Sequence, residues 1–202
     1  MRIGQNNATT WALYMSRGFT LIEMIMTLLA AAILLTLGLP SFQSSIRNSA
    51  MTTSTNNMVA TLQLARSEAI KRRLPVSMCI APNFADDNVT CDTNANWHDG
   101  WIVFTDDNAN GARDANEVVL RRERDMRGSV NVSTPAGQPL QSSLTYLATG
   151  FPNLGGLAAA GQMLLCDARE SDSFGRVISI PQTGRPLAMT VKDRSDLGLT
   201  CE

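Results

Sequence analysis

A predominantly apolar segment of 21 residues near the N-terminus constrains this chain more than any other feature. The segment Phe19–Leu39 (FTLIEMIMTLLAAAILLTLGL) contains a single charge, Glu23. At about 1.5 Å per helical residue it is long enough to cross a hydrocarbon core of about 30 Å. The residues before it include Arg2 and Arg17 and no acid, which predicts that they stay in the cytoplasm and that the C-terminus lies outside. No small-residue cleavage site follows, so we expect the segment to be retained as a single-pass anchor rather than removed as an ordinary secretory signal.

A processing motif directly precedes and overlaps this segment. Residues Arg17-Gly18-Phe19-Thr20-Leu21-Ile22-Glu23 resemble the site at which prepilin peptidase cleaves type IV pilins and type II secretion pseudopilins. The resemblance implies that the leader, residues 1–18, is removed and that Phe19 becomes the methylated N-terminus. Glu23 is then the fifth mature residue and Pro40 the twenty-second, as in that family. A carboxylate in an apolar helix is costly unless it is paired, and the resemblance supplies a partner for Glu23: the N-terminal amine of a neighbouring subunit during filament assembly.

The composition excludes several classes of function. The chain has 202 residues, 17% of them charged and 5% aromatic, and a formal net charge of −1. These values fit neither a disordered acidic protein nor a basic protein that coats nucleic acid. The single histidine, His98, excludes sites that need two or more histidines. No G-x-S-x-G, P-loop or H-E-x-x-H motif accompanies it, so we expect that the chain is not an enzyme.

Beyond the apolar segment the sequence predicts more helix and then strands. Pro40 predicts a kink or a local break. Apolar residues then recur at helical spacing and form a stripe that we expect to pack on a sheet: Met51, Met58, Leu62, Ala65 and Ala69. Pro75 ends this helix. Short apolar runs between turn residues predict eight strands, at Val76–Ala81, Trp101–Thr105, Val118–Arg122, Val130–Val132, Leu144–Leu147, Met163–Cys166, Val177–Ile180 and Leu187–Val191. This order predicts an α+β fold in which a long N-terminal helix packs on one antiparallel sheet or on two.

Three further motifs narrow the family. They are Ala65-Arg66-Ser67-Glu68-Ala69, the run Trp97–Phe104 (WHDGWIVF), and Gly175-Arg176-Val177 followed by Gly184-Arg185. Together with the processing motif they resemble the GspH/FimT family of minor pilins and pseudopilins. The resemblance implies a pilin-like fold in three parts: the leader 1–18, a transmembrane and assembly helix 19–40, and a periplasmic globular domain 41–202.

The same resemblance implies a structural subunit of a type IV pilus or of a type II secretion pseudopilus. Such a minor subunit is expected to wait in the bacterial inner membrane with its C-terminal domain in the periplasm, and then to lie near the filament tip and help initiate assembly. Its partners would be prepilin peptidase, the inner membrane and other pilins or pseudopilins. DNA binding for DNA uptake is the alternative. All of these machines share the same helix, processing site and domain, so the choice among them stays open at this point.

Two arginines beside glycines are candidates for contact with a partner. Gln182-Thr183-Gly184-Arg185 is a turn sequence, which predicts a hairpin with Arg176 and Arg185 on either side of a tight turn. The functional interpretation is that they meet DNA phosphate or a carboxylate of the next subunit. The alternative is pairing within the domain with nearby acids, namely Asp167, Glu170 and Asp172. DNA-binding members of the family have a further arginine soon after the second Gly-Arg, where this chain has Pro186-Leu187, and this difference disfavours DNA.

The segment Asp106–Glu117 matches the calcium-loop pattern D-x-[DN]-x-[DN]-G-x5-E. Its ligands would be side-chain oxygens and one carbonyl: Asp106, Asn108, Asn110, the carbonyl of Ala112, Asp114 and Glu117. Predicted strands rather than helices flank the loop, so it is not an EF-hand. An Asn/Asp/Gly-rich hairpin loop that needs no metal explains the same residues. No cofactor is required, calcium is the one candidate, and its dissociation constant would be about 10⁻⁴ to 10⁻³ M.

Four cysteines, Cys79, Cys91, Cys166 and Cys201, all lie beyond the apolar segment. On the oxidising periplasmic side an even count predicts two disulfides, and four cysteines allow three pairings. We favour Cys79–Cys91 and Cys166–Cys201, and the resemblance to minor pilins also implies the second pair.

Overall fold

The computed structural model describes residues 18–124, 126, 130–135, 140–154 and 161–201, with the backbone alone described for residues 37–41. The predicted leader therefore lies outside the described residues except for Gly18, and so does the side chain of Pro40. The chain divides into two compact units, Met1–Gln43 and Ser44–Glu202.

One long helix, α1, runs from Leu21 to Arg72. Position 40 lies inside these bounds, so the helix is not broken at Pro40, although a local break was one of the two predicted outcomes. A proline removes one backbone hydrogen bond, and here helix continues on both sides of it. Arg73 then takes a left-handed backbone conformation (φ 57°), which ends the helix before Pro75.

In the first unit, every residue of α1 up to Thr36 is exposed. Among the described residues no helix combines the length and the hydropathy needed to cross a bilayer. The last three side chains of the predicted span Phe19–Leu39 lie outside the described residues. The span stays a prediction.

In the second unit, the predicted apolar stripe of α1 is buried. Met51, Met58, Leu62, Ala65 and Ala69 are each at most 2% exposed. Polar residues such as Thr52 and Asn56 lie on the outer face. The predicted packing face of the helix is confirmed.

All eight predicted strands form, within one or two residues of their expected bounds. They are β1 (Val76–Ile80), β2 (Gly100–Thr105), β3 (Val119–Arg124), β4 (Asn131–Ser133), β5 (Ser143–Tyr146), β6 (Gly161–Cys166), β7 (Arg176–Ile180) and β8 (Leu187–Thr190). They make two four-stranded antiparallel sheets, one in the order β3-β2-β1-β5 and one in the order β4-β6-β7-β8. The α+β fold with a helix packed on antiparallel sheets is therefore confirmed, and of the two alternatives the structure has two sheets.

The main core lies between α1 and alternate residues of both sheets. Val76, Met78 and Ile80 of β1 share it with Ile178 and Ile180 of β7, because side chains two apart on a strand point to the same face. Smaller apolar clusters cover the other faces, one around Cys79 and Phe104 and one around Leu164 and Cys201. One disulfide lies in each of these outer clusters.

Candidate functional site

The processing motif lies at the start of α1. Gly18, Phe19 and Thr20 precede the helix in non-helical backbone. The backbone N–H of Glu23 donates to Thr20 Oγ1 (3.3 Å), which is N-cap geometry. A Cβ built on Gly18 would meet no atom within 4 Å, and Phe19 is 77% exposed. No described residue covers the Gly18–Phe19 bond. Glu23 lies in the first helical turn, where the helix dipole favours a negative charge.

Two of the family motifs meet in space through Arg66. Its Nε donates to the carbonyl of Gly150 (3.0 Å), and its Nη2 donates to the carbonyl of Thr183 (3.3 Å). Gly184 has φ +77°, and a Cβ on it would lie 2.3 Å from the Gly150 oxygen. Only glycine fits there, because both the positive φ and the close backbone approach exclude a side chain. Arg66 therefore holds the loop after β5 and the turn after β7 against the end of α1.

The acid of the same helix motif, Glu68, has a local role. Arg72 Nε donates to Glu68 Oε2 (2.6 Å), one turn further along α1. This hydrogen bond lowers the pKa of the Glu68 carboxyl. The pair is a helix-surface ion pair, and such pairs contribute little to stability.

The hairpin predicted around Gly184 is present, but it separates the two candidate arginines. The N–H of Gly184 donates to the carbonyl of Pro181 (2.8 Å) and closes the turn. Arg185 follows this turn, whereas Arg176 begins β7 opposite Thr190, at the open end of the hairpin. The expectation that both flank the tight turn is corrected, because the whole length of β7 lies between them.

Two of the three nearby acids expected to pair with these arginines, Asp167 and Asp172, have other partners. Asp167 pairs with Arg169, and Asp172 Oδ1 accepts the N–H of Cys201 (2.8 Å). Arg176 is half-buried, and its Nη1 donates to the carbonyls of Phe174 (3.2 Å) and Gly175 (3.1 Å). Arg185 is exposed and makes no hydrogen bond or ion pair with any described residue.

Sequence reasoning missed a second arginine clamp, at Arg169 in the loop after β6. Its guanidinium donates through Nε to both carboxylate oxygens of Asp167 (3.0 and 2.9 Å) and through Nη1 to Asn48 of α1 (2.7 Å). It also stacks 3.8 Å from the ring centre of Phe174. The hydrogen bonds from Arg169 lower the pKa of the buried Asp167 carboxyl. The Asp-Ala-Arg spacing was the local signal, but the partner on α1 had none.

The predicted calcium loop joins β2 to β3, and Asp106 anchors it. This carboxylate is fully buried. Its Oδ1 accepts the N–H of Asn110 (3.0 Å), and its Oδ2 accepts the N–H of Gly111 (2.8 Å) and the hydroxyl of Ser77. Gly111 has φ +74°, as the sharp turn requires.

Glu117 closes the other end of this loop. It is also buried, and its two oxygens accept the N–H groups of Asp107 (3.0 Å) and Asp114 (2.8 Å). Asp114 in turn accepts from the amide of Asn108 (2.9 Å). Across the part of the chain that the structure describes, no three His, Cys, Asp or Glu side chains converge as a metal site. Protein donors thus hold both buried carboxylates, and calcium binding stays a prediction.

Both disulfides are of the favoured pairing. Cys79 bonds Cys91, and Cys166 bonds Cys201, each with a Cα–Cα distance of 5.6 Å. The second bond ties the end of the chain to β6 at the edge of a buried cluster.

Three solved structures resemble this chain. The type IV minor pilin FimU of Pseudomonas aeruginosa superimposes with a TM-score of 0.51 at 23% identity, over 70% of this chain and 90% of FimU. A second crystal form of FimU gives a TM-score of 0.48 at 21% identity, over 70% and 94%. The minor pseudopilin EpsH from the type 2 secretion system of Vibrio cholerae gives 0.46 at 11% identity, over 69% and 95%. No curated protein sequence matches the chain.

The first of these likenesses shows that the fold is that of a pilin, as the sequence predicts. The expectation that this chain is not an enzyme stays a prediction. The sequence itself matches the family model of the type II transport protein GspH over residues 54–184, more than half of its length. The chain therefore belongs to the GspH family.

Proposed function

We propose that this protein is a minor pilin or pseudopilin, a structural subunit of a type IV pilus or a type II secretion pseudopilus. The observation that carries the proposal is the uncovered apolar surface that begins directly after the Gly18–Phe19 bond. From Gly18 to Thr36 every side chain is exposed, including large apolar ones such as Leu21, Leu28 and Leu34. A soluble monomer rarely leaves an apolar surface of this extent in water. A bilayer before assembly, and the helices of neighbouring subunits after it, would cover this surface.

The proposed sequence of events follows the helix. The protein waits in the inner membrane, with its C-terminal domain in the periplasm. Prepilin peptidase removes the leader after Gly18 and Phe19 is methylated. Glu23 then pairs with the N-terminal amine of a neighbouring subunit, which offsets the cost of a carboxylate among apolar side chains. As a minor subunit it lies near the tip and helps initiate the filament.

Deletion and complementation test the proposal. Pili are imaged in the deletion strain and after complementation with wild type, with Glu23→Val, or with Thr27→Val as the matched control. The Thr27 hydroxyl donates within the helix to the carbonyl of Met24 (2.9 Å), so its loss leaves no unpaired charge. We expect wild type and Thr27→Val to restore pili, and Glu23→Val to be processed but not to restore them.

The other outcomes are equally informative. Full restoration by Glu23→Val would reject the pairing role of Glu23. If deletion leaves pili unchanged, the same strains are compared for secreted proteins, and a secretion defect identifies the pseudopilus. Unchanged pili, secretion and transformation together would reject the proposal.

DNA uptake is the second candidate, and Arg185 favours it, because it is exposed and has no partner among the described residues. Arg176 lies at the other end of the hairpin and does not extend this patch. The DNA hypothesis predicts a gel shift that weakens steeply with salt and on Arg185→Ala, with Arg176→Ala as the matched control. Equal binding by the Arg185 variant rejects this site.

A further inference from the structure

We propose that the end of the globular unit next to Phe151 binds a polypeptide segment of another filament subunit, one that carries both acidic and large apolar side chains. The surface consists of Ile70 and Arg73 at the end of α1, Leu147 and Phe151 in the loop after β5, and the turn that ends at Arg185. We call it the Phe151 surface. The proposal deepens the proposed function, and it rests on that function only for the source of the segment.

The Phe151 surface is preformed, because three elements are fixed against one another beneath it. Arg66 donates to the carbonyls of Gly150 and Thr183, one on each loop. Gly150 packs against Ile70 so closely that a Cβ there would lie 2.6 Å from Ile70 Cδ1. Gly184 also lies against the Gly150 backbone. A rigid surface loses little conformational entropy when a partner binds.

The middle of the surface is an apolar groove. Its cavity of about 500 Å³ is lined by Leu147, Phe151, Pro152 and Leu154, with polar groups from Asn153, Gln182 and Thr183. Phe151 is 52% exposed and Ile70 is 46% exposed. Large side chains left in water next to a concave surface mark a site of contact with another molecule.

Two arginines are close in the chain to the elements that form this groove: Arg185 directly follows the Thr183-Gly184 turn, and Arg73 comes three residues after Ile70. Arg185 and Arg73 are exposed, and neither makes an ion pair or hydrogen bond with a described residue. The acid closest to them on α1, Glu68, is occupied by Arg72 and Lys71. Two exposed guanidinium groups near an apolar groove, neither of them paired with a described residue, are complementary to carboxylates. The occupant should therefore carry both acidic and large apolar side chains.

The apolar groove favours polypeptide over DNA. A phosphate backbone would use Arg185 and Arg73 but would gain nothing from Phe151 or Leu147, because DNA contacts of this kind are made by charge. A polypeptide segment uses both parts of the surface. The two occupants therefore differ in their dependence on Phe151, which gives the test its readout.

The test uses the full chain in detergent micelles and measures fluorescence anisotropy. The probes are a labelled peptide Asp-Phe-Glu-Leu-Asp, its basic counterpart Lys-Phe-Lys-Leu-Lys, and a short labelled DNA duplex. Two variants alter the surface, Phe151→Ser and Arg185→Glu. Two matched controls lie elsewhere: Val118→Ser, an apolar residue that is 57% exposed, and Arg176→Glu. Circular dichroism confirms that each variant folds.

We expect the acidic peptide to bind, the basic one not to bind, and each surface variant to weaken binding roughly tenfold. The controls should stay within about twofold, and added salt should weaken binding because the two arginines are exposed. Equal affinity for both peptides, or equal losses in surface and control variants, would overturn the proposal. Duplex binding that needs Arg185 but not Phe151, without peptide binding, would replace the polypeptide by DNA. None of these outcomes depends on whether pili form, so the proposed function can fail separately.

Discussion

The two parts of α1 belong to one helix but differ in whether their apolar residues are exposed or buried. From Leu21 to Thr36 the helix is apolar on nearly every side, and all of it is exposed. After Ser44 an apolar stripe at helical spacing, from Met51 to Ala69, is almost completely buried by the two sheets, while Ile46 and Ile70 outside it stay exposed. The difference lies in how the apolar residues are distributed: they are nearly continuous in the first part and recur at helical spacing among polar residues in the second. A continuous apolar run needs a cover from outside the chain, whereas a stripe at helical spacing finds its cover in the chain's own fold.

The first and largest prediction compares the truncation of one leucine in each part of α1. Leu62 is fully buried in the core, so Leu62→Ala should lower the free energy of unfolding by about 2–5 kcal/mol. Leu28 is 66% exposed, so Leu28→Ala should change it by less than about 0.5 kcal/mol. Guanidinium unfolding of the full chain, followed by the fluorescence of the buried Trp97 and Trp101, measures both. Similar effects of the two substitutions would show that the division of α1 is wrong.

The second prediction concerns the point at which the buried part begins. Arg169 joins Asn48 of α1 to the buried Asp167, and it holds the pKa of Asp167 below its ordinary value. The charged hydrogen bonds contribute about 2 kcal/mol, so Asp167→Asn should destabilise the unit by about that much at neutral pH.

The sign of the pH dependence follows from the lowered pKa. The contribution of Asp167 is fully present above its unfolded pKa of about 3.9, and it is lost as the pH falls through the lower folded value. The stability difference between wild type and Asp167→Asn should therefore be constant from about pH 7 to 5 and shrink below about pH 4. A difference that does not depend on pH would mean that Asp167 acts through packing and not through its charge.

The third prediction concerns the other end of the buried part. Arg66→Ala removes two hydrogen bonds to the carbonyls of Gly150 and Thr183 and should cost about 1–2 kcal/mol. Arg72→Ala, the matched control one and a half turns on, removes an exposed ion pair and should cost at most about 0.5 kcal/mol. Hydrogen exchange gives the local readout, because only Arg66→Ala should increase exchange at Gly150 and Gly184. If Arg72→Ala costs as much, the clamp at Arg66 is not what holds the two loops.

Local features of this fold could be predicted from the sequence, and long-range ones could not. The stripe of α1 and all eight strands follow from spacing and turn residues, which are properties of short windows. The division of the strands into two sheets depends on pairings between distant segments, such as Val76 with Tyr146.

The long-range contacts of the candidate site could not be predicted from the sequence either. The contacts of Arg66 with Gly150 and of Arg169 with Asn48 span 84 and 121 residues, and no local pattern announces them. A turn motif predicts the turn itself but not how far from it each flanking arginine lies, and here β7 separates Arg176 from the turn. The family motifs do indicate residues that meet in space. Arg66 and Gly184 come from two separate motifs, and both lie against the carbonyl of Gly150.

The smallest predicted effect is that of calcium. Adding it tests whether an ion bound at the Asp106–Glu117 loop stabilises the second unit. Asp106 and Glu117 already accept backbone N–H groups, so any ion would be held mainly by the exposed Asn108, Asn110 and Asp114 together with lone pairs left on the buried oxygens. With a dissociation constant of about 1 mM, about 10 mM calcium would raise the free energy of unfolding by about 1.4 kcal/mol. Unfolding with calcium, with equal magnesium, and with Asp114→Ala measures this. If the free energy of unfolding rises with calcium alone and the rise is lost in Asp114→Ala, the loop is an ion site. No rise, or an equal rise with magnesium, would mean that the loop is a hairpin whose conformation is held by its own buried carboxylates.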